Sequence, residues 1–333
     1  MSDLKFAVIG AGFWSKFQIP AWREVPGAQL VALCDSDLAK AQTFAEQFNI
    51  PRVYRDAEEM FQTEALDFVD IIAGVSAHAP LVSLAAQYKV PVICQKPMAP
   101  DYATCEHMVQ TCRQAGIPFF IHENFRWQPP LRAIKDFLDA GRIGRPLRAL
   151  LQFGHGPLKF YANQPYLKTD AHFVLPDMGS HFLDLARFFF GEPHSLYCQY
   201  HRSRADFAGD DVVVVMLRTA STICVCEMGW FTNTKVYIEG TEGALELSND
   251  GVLSLRLLGD EVYSRRYTPD RYAWTDLDYG FSPPSSVVCN THLLGALKTG
   301  QPAETSAEDN LKTMRLVYAA YDSAERNQVI PID

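Results

Sequence analysis

Side chains able to move a proton or steady a negative charge stand at two places in the chain. The first is CQKPM at 94–98, where Lys96 follows a short apolar run. Pro97 restricts the backbone of Lys96 to an extended or turning form. The second is DMGSH at 177–181, which sets Asp177 and His181 four residues apart at the head of a phenylalanine-rich helical stretch. Residues four apart share a helix face, so Asp177, His181, Asp184 and Phe188 form one stripe. Met178, Phe182, Leu185 and Phe189 form the neighbouring apolar stripe, which belongs to a core. A histidine supported by a carboxylate accepts a proton near neutral pH. A strand-end ammonium stabilises charge developing on an oxygen. Gly179 and Ser180 are small enough to leave room for a ligand beside the histidine. Taken alone, the helix suits a structural histidine equally well, and the lysine a solvated surface charge.

A third place shifts the balance. GAGFWS at 10–15 follows an apolar run directly and opens a helical stretch. Gly10 permits a tight turn, and Gly12 lets a pyrophosphate approach the backbone at a helix N-terminus. Ser15 replaces the third glycine of this fingerprint but is small enough for close helix–strand packing. Asp35 ends the second apolar run, 20 residues past Ser15, where a ribose-binding acid is expected. Its carboxylate accepts from both ribose hydroxyls and repels a 2′-phosphate, so NAD is expected rather than NADP. Phe13 and Trp14 either border this cofactor or, the commoner fate of aromatics in such a helix, enter the core.

The elements that must position these residues follow two patterns. Over 4–122, the runs LKFAVIG, QLVALCD, LDFVDIIAG, PVICQ and IPFFIHE alternate with helical stretches at 37–48, 78–88 and 101–115. That alternation predicts a doubly wound parallel sheet, a Rossmann domain over 1–123. Ligands in such sheets bind outside the carboxyl ends of the strands, where Lys96 stands. From about 145, strand-like runs such as DVVVVMLR and TICVCEMGW alternate with turn signals such as EGTEGA and SNDGV. This predicts an α+β domain over 124–333 with a large, open, mostly antiparallel sheet. Helices near 129–140 and 307–327 bracket it.

Bulk composition excludes several partners. A net charge of −9 disfavours nucleic acid, and no apolar run is long enough to span a membrane. Eight cysteines show no CxxC pair and no metal-ligand spacing, so no metal is expected. They read as reduced, buried thiols, and the start MSDLKFAVIG lacks a signal peptide's apolar region. The expected location is the cytoplasm.

As a set, GAGFWS with Asp35, QKP, HENFRW, DMGSH, IEGTEGALEL and SAEDNLKTMRLVYAAYDSAE resemble the glucose–fructose oxidoreductase/inositol dehydrogenase/MocA family over essentially the full length. The resemblance implies hydride transfer between a nicotinamide cofactor and a sugar or polyol carbon, and an open C-terminal sheet used for homodimer or homotetramer formation. It maps the catalytic set onto Lys96, Asp177 and His181. Two features depart from the pattern. Gln95 stands where the EKP motif has glutamate, removing a charge near the nicotinamide ribose, and AGVSAH at 73–78 lacks a TPN-like signature. His78 is expected on the phosphate side or as a helix cap. Within the family, GFWSKFQIPAW, QKP and HENFRWQPP resemble bacterial D-apiose dehydrogenases, implying oxidation of an anomeric carbon to a lactone.

The expected mechanism has His181 take the substrate hydroxyl proton, Asp177 or Asp184 orient the imidazole, and Lys96 stabilise the alkoxide. The irregular segment GHGPLKFYANQPYLK supplies substrate-contact candidates His155, Lys159, Phe160, Tyr161 and Asn163, joined by Asn124, Arg126 and Trp127 of HENFRW. Two alternatives keep the cofactor loop. A redox-neutral isomerase or glycosidase-type enzyme would purify with NAD bound and release no NADH. A noncatalytic NAD(H)-binding protein would leave Lys96, Asp177 and His181 unconverged. The Asp35 argument makes one direct prediction: kcat/KM is higher with NAD than with NADP, and an NADP advantage refutes the reading of Asp35.

Overall fold

The protein is described by a computed structural model covering residues 3–154, 164–230, 234–258 and 260–332. Each apolar run of the first third forms a strand: β1 (Leu4–Ile9), β2 (Ala28–Cys34), β4 (Phe68–Ile71), β5 (Val92–Gln95) and β6 (Phe119–His122). A three-residue strand, β3 (Arg52–Tyr54), escapes the sequence pattern because it is too short to show a period. All pair in parallel in the order β3-β2-β1-β4-β5-β6, the arrangement of a dinucleotide-binding doubly wound sheet.

The helices between them start where local chemistry dictates. Asp37, Asp56 and Asp101 each accept a backbone N–H at the heads of helices Leu38–Gln47, Ala57–Thr63 and Tyr102–Ala115. Gly116 closes the last of these in the left-handed region at φ 71°.

Two compact units form: Met1–Trp127 with Pro269–Lys312, and Gln128–Thr268 with Thr313–Asp333. A single cut after 123 had been expected from the change of pattern; the chain instead returns to the first unit with a helix the periodicity did not reveal, Ser282–Thr299. Its Val287, Leu293 and Leu294 join Phe6, Ile19, Trp22, Phe68, Ile93 and Phe120 in one core. Phe6 stacks on Phe68 at 4.7 Å between ring centroids, with Trp22 tilted against both. That aromatic cluster contributes about 1 kcal/mol per ring pair beyond area burial.

In the second unit, nine strands form one sheet in the order β14-β13-β12-β11-β7-β10-β9-β8-β15. Its members are β7 (Pro146–Gly154), β8 (Ser195–His201), β9 (Val212–Arg218), β10 (Ile223–Gly229), β11 (Lys235–Gly240), β12 (Gly243–Leu247), β13 (Val252–Leu257), β14 (Asp260–Arg266) and β15 (Ile330–Pro331). Pairing is antiparallel except between β7 and β10. β9 alternates cleanly: Val213, Val215 and Leu217 point into the core, Val214 and Met216 outward. On that outward face, Tyr197, Met216, Val225, Leu150 and Tyr237 occupy one cross-strand row over five neighbouring strands. Met216, Val214 and Ile223 remain 43%, 41% and 46% exposed, more than an ordinary core-backed sheet leaves to solvent. No helix among the described residues is long and apolar enough to cross a membrane.

Candidate active site

In the first unit the glycine loop has the geometry that a dinucleotide needs. Gly10 adopts φ +114°, and a Cβ there would stand 2.6 Å from the Ile72 carbonyl oxygen, so only glycine fits. Gly12 is the opposite case. A Cβ on it would meet nothing within 4 Å, leaving open approach at the head of the helix Ser15–Arg23. Ser15, buried, donates its hydroxyl to the Gly10 carbonyl at 2.8 Å and so locks the turn to the helix. Asp35 accepts the Ala11 N–H at 2.7 Å and the Asp37 N–H at 2.8 Å, which fixes the strand-end acid beside the loop. These residues fit a dinucleotide, with Gly12 on the phosphate side and Asp35 toward a ribose. The Phe13 and Trp14 rings both pack on Phe17, at 5.5 and 5.3 Å, and Phe13 also on Tyr279 at 5.6 Å. Both are half-buried, so the core reading accounts for a large share of their contact.

Lys96 leaves the end of β5 through a cis bond to Pro97, and the loop it starts is held from two sides. His78 is almost fully buried, with Nδ1 3.1 Å from the Pro97 carbonyl and 3.2 Å from that of Met98, and Nε2 3.0 Å from that of Ala73. Burial lowers its pKa. The expectation of a phosphate-side or capping histidine is therefore corrected: a neutral ring donates from one nitrogen only, and these contacts seat His78 between the β4 and β5 exit loops. On the other side, Gln95 accepts the Lys96 N–H at 3.1 Å.

Gln95 also departs from expectation. Its side chain is buried, and its Nε2 donates to Gln18 Oε1 and lies 3.1 Å from His122 Nδ1. An amide nitrogen only donates, so His122 accepts at Nδ1 and donates from Nε2 to Asn290 Oδ1 at 3.0 Å. Gln18 in turn donates to both oxygens of Asp70, at 2.9 and 2.8 Å, and Trp22 Nε1–H donates at 2.6 Å. Burial pushes the Asp70 carboxyl up to about 7, against the pull of the Trp22 and Gln18 bonds. An amide, unlike a glutamate, supplies the donor and the acceptor this arrangement needs. The Gln95 side chain thus works within the buried network rather than toward a ribose.

Asn124 and Arg126, read from sequence as substrate contacts, are corrected too. Asn124 is buried and donates to the Ser282 carbonyl at 2.6 Å and to Ser285 Oγ at 3.0 Å. Arg126 donates to Asp309 at 2.7 Å and to the Glu304 carbonyl at 3.1 Å. Both hold the returning segment of the first unit. Immediately before Asn124 stands Glu123, whose carboxyl is fully buried and accepts the Phe125 N–H at 3.2 Å.

In the second unit, Asp177 and His181 occupy one helical run, His181 buried and Asp177 half-exposed. That run opens with a π-helical turn, Leu175–Gly179, before the α-helix Ser180–Phe190. The wider turn rotates Asp177 relative to the four-residue stripe assumed from an ideal helix. Asp210 fixes its start by accepting the N–H groups of Phe173 and Leu175, both at 2.9 Å, and the Tyr321 hydroxyl at 2.6 Å.

Two readings of this helix change. Asp184 accepts the Thr313 hydroxyl at 3.0 Å and lies 3.6 Å from Arg187, so it is held as a buried acid by these two groups. Gly179 does not leave ligand space: a Cβ there would touch Leu175 and Met228 at 3.3 Å, so it serves close packing against β10. Ser180 is likewise buried and donates to the Asp177 carbonyl at 3.3 Å. Partial desolvation, then the charges of Asp177 and Asp170, push the Tyr166 phenol up, which marks Tyr166 as a neighbour of Asp177. His155, Lys159, Phe160, Tyr161 and Asn163 lie outside the described residues.

Comparison with known proteins places this geometry in context. Residues 4–122 match the model of an oxidoreductase family with an NAD-binding Rossmann fold, and residues 131–246 match a GFO/IDH/MocA C-terminal domain. The chain is 37% identical to a D-apiose dehydrogenase of Paraburkholderia graminis, over 98% of this chain and 89% of the relative. It is 36% identical to a D-apiose dehydrogenase of Rhizobium rhizogenes, over 100% and 98%. A crystal structure of an oxidoreductase from Agrobacterium radiobacter in complex with NAD+, L-tartaric acid and magnesium superposes with a TM-score of 0.94. It shares 35% identity over 99% of this chain and 98% of that one.

The amide requirement at 95 is testable. Gln95→Glu faces Gln18 Oε1 with an acceptor and adds a second buried carboxyl to that of Asp70, and we expect a loss of about 2 kcal/mol of stability. The introduced acid has a raised folded-state pKa, so the loss relative to wild type grows as pH rises. Urea unfolding at acidic and at mildly alkaline pH measures this; an equal loss at both contradicts the network.

Proposed function

Because the chain belongs to the GFO/IDH/MocA oxidoreductase family, we propose that it is an NAD-dependent dehydrogenase of D-apiose, oxidising the anomeric carbon of the sugar to a lactone. The observation that carries this reading is the full-length likeness to two D-apiose dehydrogenases in a chain whose own glycine loop and Asp35 fit a dinucleotide. Asp35 accounts for the choice of NAD, since a second phosphate beside its carboxylate is repelled.

Bound NAD supplies the hydride acceptor. The protein supplies proton handling and charge. His181 takes the proton of the substrate hydroxyl, and Asp177 orients the imidazole and stabilises its charged form. Lys96 donates to the same oxygen as negative charge develops on it, from a backbone fixed by Gln95 and His78. The proposed reaction requires Lys96 and His181 to act on one substrate oxygen, with Asp177 acting through the imidazole. His155, Phe160, Tyr161 and Asn163 are proposed to contact the sugar.

We also propose self-association, as a homodimer or homotetramer, through the outward face of the nine-stranded sheet. The row Tyr197–Met216–Val225–Leu150–Tyr237 is an apolar stripe of the kind that marks protein contacts. All eight cysteines are buried thiols without disulfide partners, in keeping with a cytoplasmic enzyme.

Two measurements test these proposals. With D-apiose and NAD, Lys96→Met and His181→Ala each lose on the order of 100-fold or more in kcat while remaining folded, the scale of a general base or a charge stabiliser. Near-normal turnover in both folded variants removes the assignment, and the absence of NADH formation with D-apiose beside other pentoses, hexoses and inositols removes the substrate. Met216→Glu lowers the solution mass measured by sedimentation; an unchanged mass points to another interface.

A further inference from the structure

Glu123 is a buried acid at these strand ends that the proposed mechanism leaves without a task. It follows β6 directly, as Lys96 follows β5, and the register pairs Gln95 with His122. Lys96 and Glu123 therefore each stand one residue beyond the last pair of two neighbouring parallel strands, at the same end of the sheet. Glu123 is 0% exposed, and a carboxylate buried so completely is retained only with compensation. The charges that act on it are those of Lys96 and Arg126, and Arg126 is itself bonded to Asp309. The Phe125 N–H satisfies one of its oxygens. Position 95, directly before Lys96, is an amide whose nitrogen faces Gln18 and His122.

We infer that Glu123 is a positioning residue for Lys96: a buried carboxylate that fixes where the ammonium sits and balances its charge from below, while the ammonium faces the substrate oxygen. The inference rests on the reading of Lys96 as the cation that stabilises the alkoxide. Burial pushes the Glu123 carboxyl up to about 7, against the Phe125 bond and the charges of Lys96 and Arg126. Its ionisation thus falls within the working pH range, and the charge balance around Lys96 changes with it. Below that range a neutral carboxyl leaves the ammonium without its counter-charge; above it the pair is complete.

The test reads Glu123 directly and without turnover. In the unliganded protein, an infrared difference titration follows the protonated-carboxyl band, with Glu123→Gln as the subtraction that separates Glu123 from Asp70. Removing the ammonium in Lys96→Met raises the midpoint of the Glu123 band by about one pH unit or more, the size of a lost neighbouring charge. Glu123→Gln, which keeps an acceptor for the Phe125 N–H, lowers kcat about tenfold and flattens the rise of kcat/KM near neutral pH. Glu123→Asp restores part of both. In the Lys96→Met background, Glu123→Gln costs nothing further, because a residue acting through Lys96 has nothing left to act on.

A Glu123 midpoint that stays put in Lys96→Met, or a Glu123→Gln loss as large in that background as in wild type, overturns the inference alone. Near-normal turnover of Lys96→Met overturns the reading of Lys96, and the inference with it.

Discussion

The Lys96 N–H donates to the side chain of Gln95, and that side chain is held by the polar groups behind it. Gln18, His122, Asp70, Trp22 and Asn290 form a buried chain of hydrogen bonds behind it. Polar groups buried this deeply are costly unless fully paired, so the network has few alternative arrangements. A mobile lysine loses rotamer entropy each time it meets a ligand. A backbone anchored by Gln95 on one side and His78 on the other confines that cost to the side chain. Rigidity at the strand end is thus a consequence of polar satisfaction in the core, and it is what preorganised charge stabilisation requires.

The same logic governs the second unit. The helix carrying His181 begins where the Asp210 carboxylate gathers two backbone N–H groups and a tyrosine hydroxyl, and its flank is fixed by the Asp184–Thr313–Arg187 cluster. Each unit sets a side chain with a proposed reactive role on an element held by buried hydrogen bonds. The chemistry can then be delegated to a few atoms, while the scaffold bears none of the charge changes of the reaction.

Much of this was legible in the sequence because it is local. The turn GAGFWS, the acid at the end of the next run and the lysine at another strand end are fixed by near neighbours, and the structure gives them the expected backbone. What the sequence hid is long-range. Asn124 and Arg126 read as site residues because they follow a strand end, yet their partners lie 158 to 183 residues later. Asp184 finds Thr313 across 129 residues. A helix of four-residue stripes gave no hint of the π-turn at Leu175–Gly179, since hydrophobic spacing does not distinguish one wide turn from a regular one. The helix Ser282–Thr299 carries serine, threonine and asparagine among its apolar residues, which erases the period that would announce it. Gln95 is the instructive case. As a departure from a motif it looked like a lost charge, whereas its surroundings show a side chain that must both give and accept a hydrogen bond.

The proposed function requires the Lys96 ammonium and the His181 imidazole to act on a single substrate oxygen. A crystal structure of the protein with reduced cofactor and D-apiose measures this most directly. The account predicts both nitrogens within about 3.2 Å of the oxygen on the carbon that loses hydride. Two nitrogens directed at different substrate atoms, or only one of them reaching the sugar, would contradict it.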